Sequence, residues 1–215
     1  ILLLNVYTKS MDTLQKAAIH LSKDPILAAV IAIAPLPNLK PHTNYYRELA
    51  SSVISQQLSV KAAAAIEKRF QDLFGGQWPS PEQLITTDTE ALRGIGISYA
   101  KARYLHDLAE HMLDGRLTFN QISKQTNQEI ITMLTEVKGV GEWTAHMFLI
   151  FCVGRLDVLP IGDLGVRNGI AKLYNLPAIP LPQEVAELAA ARGWAPYQSV
   201  AAWYIWHSLD NKPVA

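Results

Sequence analysis

Apolar residues along this chain recur at three- and four-residue intervals and almost never alternate, which predicts helices and no sheet. From Asn44 to Ile54, the residues Tyr46, Leu49, Ala50, Val53 and Ile54 share one helical face. Ser59 is placed to cap a second helix running to Phe70, and Gly75-Gly76 ends it. Ser80 to Gln83 reads as a cap, a first-turn proline and a capping-box partner, and Asp88 caps another short turn. Ser98 opens a longer helix with Ala102, Leu105, Ala109 and Met112 facing in, closed by Gly115. Thr126 to Glu129 forms a full capping box ahead of Ile130, Ile131, Leu134 and Val137. An apolar helix follows from Glu142 to Val153, Asp163 opens another to about Tyr174, and two more fill 182–191 and 196–209. The pattern assigns no element before Asn44. The sum is an all-α chain of roughly ten helices.

Two interruptions look alike. Gly94-Ile95-Gly96 and Gly139-Val140-Gly141 each place Gly-x-Gly between helices, which together suggest a fold that uses helix–hairpin–helix geometry twice. The second is the more informative. A helix ends near Val137, a short turn carries two glycines, and a new helix begins at once. Glycine permits positive φ and close approach of another backbone. A helix start leaves amide N–H groups unpaired at a partly positive end, where a phosphate fits.

Composition changes this picture at two points. Nineteen basic and nineteen acidic side chains cancel, which argues against a protein that holds nucleic acid by bulk charge, although a grip through backbone amides adds no net charge. The single cysteine, Cys152, excludes an internal disulfide and any multi-cysteine zinc or iron–sulfur site. The hydrophobic share of 49% is ample for a core, yet no segment has the ~18–20 consecutive apolar residues of a membrane span. The opening Ile1–Leu4 run lacks a signal-peptide pattern, and the single cysteine fits a reducing interior compartment, so an intracellular setting is expected. The six histidines show no metal-ligand spacing.

Lys138 to Ala145 (KGVGEWTA) resembles the hairpin of the helix–hairpin–helix DNA glycosylase superfamily. Asp163 lies 22 residues after Gly141, inside Leu159 to Arg167 (LPIGDLGVR), which resembles the catalytic segment of the alkyladenine (3-methyladenine) glycosylase II branch. Val53 to Ala63, Leu92 to Ala102, Trp194 to Tyr197 and the stretch Trp203 to Trp206 are similar to further motifs of that branch, in order. The resemblance implies two helical lobes with a central cleft that takes a flipped base. One lobe would span approximately 45–160 and contain the hairpin at 134–153; residues 1–44 with 161–215 would form the other, carrying Asp163. About forty residues precede Tyr45, too few for the N-terminal β-sheet lobe of some relatives. Trp143 stands where bifunctional members carry a nucleophilic lysine, so Schiff-base strand cleavage is not expected.

The implied activity is monofunctional: base flipping, then hydrolytic removal of alkylated purines from double-stranded DNA, leaving an abasic site. The implied working form is a monomer with no required cofactor, located in the nucleoid or the nucleus according to the source. An aspartate just before a helix is usually a cap, and Asp163 can be cap and catalyst at once. Its carboxylate would stabilise positive charge growing on the deoxyribose and orient water. Trp143 and Trp194 are expected walls of the base pocket, with Tyr197 a third aromatic, because an indole face attracts a cationic alkylated base. Trp203 and Trp206 read as core. Gln57 and Leu58 would fill the gap left by the flipped nucleotide and touch the orphan strand. Lys138, Gly139, Val140, Gly141 and Thr144 would hold the DNA backbone, while Thr135, Val137 and Val140 would offer carbonyls to a monovalent cation. Lys101, Arg167 and Lys172 are additional candidates for DNA contact. Two rival readings use the same residues: a glycosylase for another lesion or mismatch, and a non-catalytic helix–hairpin–helix module that binds DNA structure only.

Overall fold

The computed structural model of the chain describes residues 2–39 and 41–210. All regular structure among these residues is helical. By contacts the chain divides into two compact units, His42–Phe148 and Ile1–Pro41 with Leu149–Ala215.

The His42–Phe148 unit holds α3 (Tyr45–Ser55), α4 (Val60–Leu73), α5 (Pro81–Ile85), α6 (Thr89–Gly94), α7 (Tyr99–Leu113), α8 (Asn127–Thr135) and α9 (Glu142–Met147). Five of these starts have the cause read from the sequence. Ser59, Ser80, Asp88, Ser98 and Thr126 all accept a first-turn backbone N–H through their side chains, and Ser80 and Thr126 form complete capping boxes. The buried α7 packs along α3, α5 and α6 through Ala102, Leu105, Leu108 and Ala109. Each fully buried leucine contributes about 1.5–3 kcal/mol.

The other unit holds α1 (Leu2–Leu21), α2 (Pro25–Ile31), α10 (Leu164–Leu173), α11 (Pro182–Ala191) and α12 (Gln198–Asp210). α12 packs on α10, α2 and α1. The approach to α10 is close because Gly169 has no side chain: a Cβ there would meet Ile205 Cγ2 at 2.3 Å. Asp24, almost fully buried, accepts hydrogen bonds from the Tyr174 hydroxyl, Trp194 Nε1 and the Ile26 amide. Burial alone would raise its pKa; these bonds outweigh that and hold it below the ordinary carboxylate range.

The structure departs from the sequence reading in four places. α1 and α2 occupy the first forty residues, to which the pattern assigned nothing. The helix expected over 142–153 is α-helical only to Met147 and continues as a π-helical stretch, Phe148–Val153. The unit boundary falls at Leu149, where 161 was expected. Residues 149–160 go with the C-terminal helices partly because Ser199 Oγ bonds both the N–H and the carbonyl of Val158. Finally, the two Gly-x-Gly segments are not conformational copies. In the first, Gly96 takes positive φ (100°) and Ser98 caps the next helix. In the second, Gly139 takes it (83°) and Gly141 is itself the cap position at φ −93°.

Candidate active site

The hairpin joins α8 to α9. Gly139 is required twice over: its φ is positive, and a Cβ would lie 2.2 Å from Tyr104 Cδ2. Gly141 brings no side chain to cap α9, so no side-chain oxygen at the cap takes up its first-turn amides. Lys138 differs from expectation. Its backbone N–H donates to Asp107 Oδ2 at 2.8 Å and its ammonium to Asp107 Oδ1 at 2.8 Å, so its amide is not open to a phosphate. Asp107 is buried, which alone would push its pKa up; the Lys138 hydrogen bonds and the neighbouring His111 pull it lower, and Asp107 in turn raises Lys138. Val140 N–H closes the turn onto the Val137 carbonyl at 3.0 Å, using one of that oxygen's two lone pairs. Thr144 is buried.

The α3–α4 connection lies in the same unit. Gln57 and Leu58 are both exposed at its tip, as a wedge requires, and Gln57 has φ 58°. Gln56 Nε2 donates to the Gly139 carbonyl at 2.8 Å, tying this tip to the hairpin. Lys101 turns inward. Its ammonium bonds the carbonyls of Ile54 and Gln56, so it braces this connection instead of offering a free charge to DNA.

In the other unit, Asp163 caps α10. Its Oδ1 accepts the Val166 amide at 2.7 Å and Trp206 Nε1 at 2.8 Å. Two donors on one oxygen fix the carboxylate plane. Gly165 admits this arrangement, since a Cβ there would sit 3.0 Å from Asp163 Oδ1 and 3.0 Å from Trp206 Cδ1. Phe151, from the π-helical stretch, stacks on Trp206 at 5.8 Å and 29°. π-helical turns are rare and are often found at functional sites.

The aromatics are therefore reassigned. Trp143 is 53% exposed on the first turn of α9. Trp194 is 0% exposed and bonded to Asp24, a core residue with no face for a base. Trp206 is half-buried and placed at Asp163, where the sequence reading put a core residue. Tyr197 is half-buried and meets His20 edge-on at 5.2 Å. Arg167 donates through Nε to the Pro180 carbonyl, while Lys172 is exposed. Among the described residues, no three His, Cys, Asp or Glu side chains gather as a metal site, and no helix is long and apolar enough to cross a membrane.

The turn from Lys138 to Gly141, between two short helices, makes this a helix–hairpin–helix protein. More narrowly, the chain belongs to the HhH-GPD superfamily of base excision DNA repair proteins, whose family model matches residues 50–195. The chain is 39% identical to DNA-3-methyladenine glycosylase 1 of Schizosaccharomyces pombe over 95% of its length and 93% of that protein. Among solved structures, it resembles the S. pombe 3-methyladenine DNA glycosylase in complex with abasic DNA. The TM-score there is 0.78 at 36% identity, over 93% of this chain and 99% of that one. It is also similar to a DNA-3-methyladenine glycosidase from Bacillus halodurans, with TM-score 0.78 at 39% identity over 87% and 85% of the two chains.

Proposed function

We propose that the protein is a monofunctional DNA glycosylase that removes alkylated purines of the 3-methyladenine type from DNA within the cell, leaving an abasic site. The observation that carries this reading is Asp163, its Oδ1 held by the Val166 amide and the Trp206 indole. A ring-methylated purine is a cation, so breaking its C1′–N bond sends the electron pair to the base and releases it neutral. The deoxyribose is left with positive charge, which a fixed carboxylate stabilises. The carboxylate then orients a water whose oxygen bonds to C1′ and whose proton passes to the carboxylate. The leaving group is already activated, so the reaction needs no strong general acid. Flipping the base costs a few kcal/mol, and stacking on an exposed indole such as Trp143 returns about 1–3 kcal/mol. Cation–π attraction supplies the rest for a charged lesion.

The uncapped start of α9 supplies amides for a phosphate, with Gly139 to Gly141 allowing its approach. Trp143, in place of a lysine, gives the chain no amine there for strand cleavage. A monovalent cation on the carbonyls of Thr135, Val137 and Val140 would have oxygen donors of a suitable kind. It would stiffen the hairpin and take no part in the chemistry.

The test uses end-labelled duplex DNA carrying ring-nitrogen-methylated purines, incubated with the parent chain and with Asp163→Asn. Breaks that appear only after alkali, and only with the parent, are expected. Breaks without alkali would overturn the monofunctional reading. Binding by both proteins with no breaks from either would leave a DNA-structure-binding module or a different lesion as the better account.

A further inference from the structure

The connection between α3 and α4 is a four-residue turn, Ser55 to Leu58, closed by a Leu58 N–H to Ser55 carbonyl bond of 3.1 Å. Gln56 has φ −48° and ψ 131°, and Gln57 has φ 58°. These are the angles of a type II turn, which favours glycine or asparagine at the position Gln57 fills. A type I turn differs by a flip of the middle peptide, here the one joining Gln56 to Gln57. That flip would return Gln57 to negative φ, which suits glutamine better. Local preference therefore opposes the turn that is present.

Lys101 supplies the opposing force. Its ammonium donates to the Gln56 carbonyl at 2.7 Å and to the Ile54 carbonyl at 2.8 Å. The Gln56 carbonyl belongs to the peptide that would flip, so flipping would remove one charge-assisted bond. The bond to Ile54 anchors the ammonium on the last turn of α3, so it cannot follow the moving oxygen. Gln56 is fixed on its other side by its bond to the Gly139 carbonyl.

We infer that Lys101 is a positioning residue whose ammonium holds the Gln56–Gln57 peptide in its type II orientation and so presents Gln57 and Leu58 as a wedge. The turn itself is independent of function; its service as a wedge rests on the proposed glycosylase reading.

The experiment compares the parent, Lys101→Met, and Lys101→Met combined with Gln57→Asn. Proton NMR of the free proteins reads the turn. A type II turn brings the Gln56 Hα close to the residue 57 amide proton, and a type I turn brings the two amide protons together. Single-turnover excision is measured on one methylated adenine in two duplexes, opposite thymine and opposite an abasic site. The abasic partner leaves no base for a wedge to displace. Lys101→Met is expected to show the type I contact and about a ten-fold slower excision opposite thymine, the scale of a lost charged hydrogen bond. Opposite the abasic site the change should stay within about two-fold. Adding Gln57→Asn, which tolerates positive φ, should restore the type II contact. An unchanged NMR contact in Lys101→Met would overturn the inference. Equal slowing on both duplexes would overturn the wedge part of it. If the parent excises nothing, the glycosylase reading fails while the NMR comparison still judges Lys101. Should Lys101→Met fail to fold, Lys101→Gln, which keeps a donor for one carbonyl, takes its place with the same expected direction.

Discussion

Asp163 shows how one side chain serves structure and chemistry together. The Val166 amide makes it a helix cap, and the Trp206 indole makes it a cap that cannot rotate. Trp206→Phe keeps an aromatic ring against Phe151 and removes the N–H with the rest of the larger indole. Single-turnover excision should fall about ten-fold, with little change in the melting temperature. Gly165→Ala tests the same pair from the opposite side. Its methyl would press on both Asp163 Oδ1 and Trp206 at 3.0 Å, so excision should fall while circular dichroism stays that of the parent. Asp163 was legible as a cap from its place before an apolar run, and as a catalyst only through the resemblance of Leu159 to Arg167 to a known catalytic segment. Trp206 was not, because its partner lies 43 positions away and residue type alone cannot tell a core indole from one bonded to a carboxylate. Trp194 misled for the same reason. Trp194→Ala should cost about 3–5 kcal/mol of stability, read by denaturant unfolding, as expected for a buried tryptophan.

At the scale of elements, the caps carried most of the legible information. A serine, threonine or aspartate before a periodic apolar run announces a helix start through its own hydrogen bond, and each one named in advance made it. What local pattern could not show was how two similar turns would fold. Gly94-Ile95-Gly96 and Gly139-Val140-Gly141 share letters, but Ser98 follows the first and fixes a different register. The π-helical stretch was also hidden, since its residues Phe148–Val153 fit an α-helical apolar run equally well. The hairpin's dependence on close packing gives a sharp test. Gly139→Ala adds a methyl at positive φ directly against Tyr104, and should lower stability by about 2–4 kcal/mol and abolish DNA retention in a gel-shift assay. Gly141→Ala, with open space and a negative φ, should do neither.

Over the whole chain, charge is balanced, and several of its charges are already paired. Asp24 and Asp107 both have native pKa values below the ordinary carboxylate range. The stability they contribute is therefore complete above about pH 4 and lost as pH falls through their lowered native values. Melting temperature should drop on acidification below pH 4, and Asp107→Asn should flatten that drop while lowering stability at neutral pH. Because the proposed grip on the phosphates uses hairpin amides, which carry no net charge, the slope of log affinity for DNA against log salt should be shallow, about −2 to −3. A slope near −8 would mean a far larger ionic footprint than these residues provide. The pairing of Lys138 with Asp107 then bears on how such a protein finds its target. A hairpin whose lysine is already satisfied pulls weakly from a distance and releases undamaged DNA quickly. Under the proposed function, its search is a succession of brief landings in place of long slides along one duplex. The chance of meeting a lesion grows with the number of copies in the cell more than with the tenacity of any one of them.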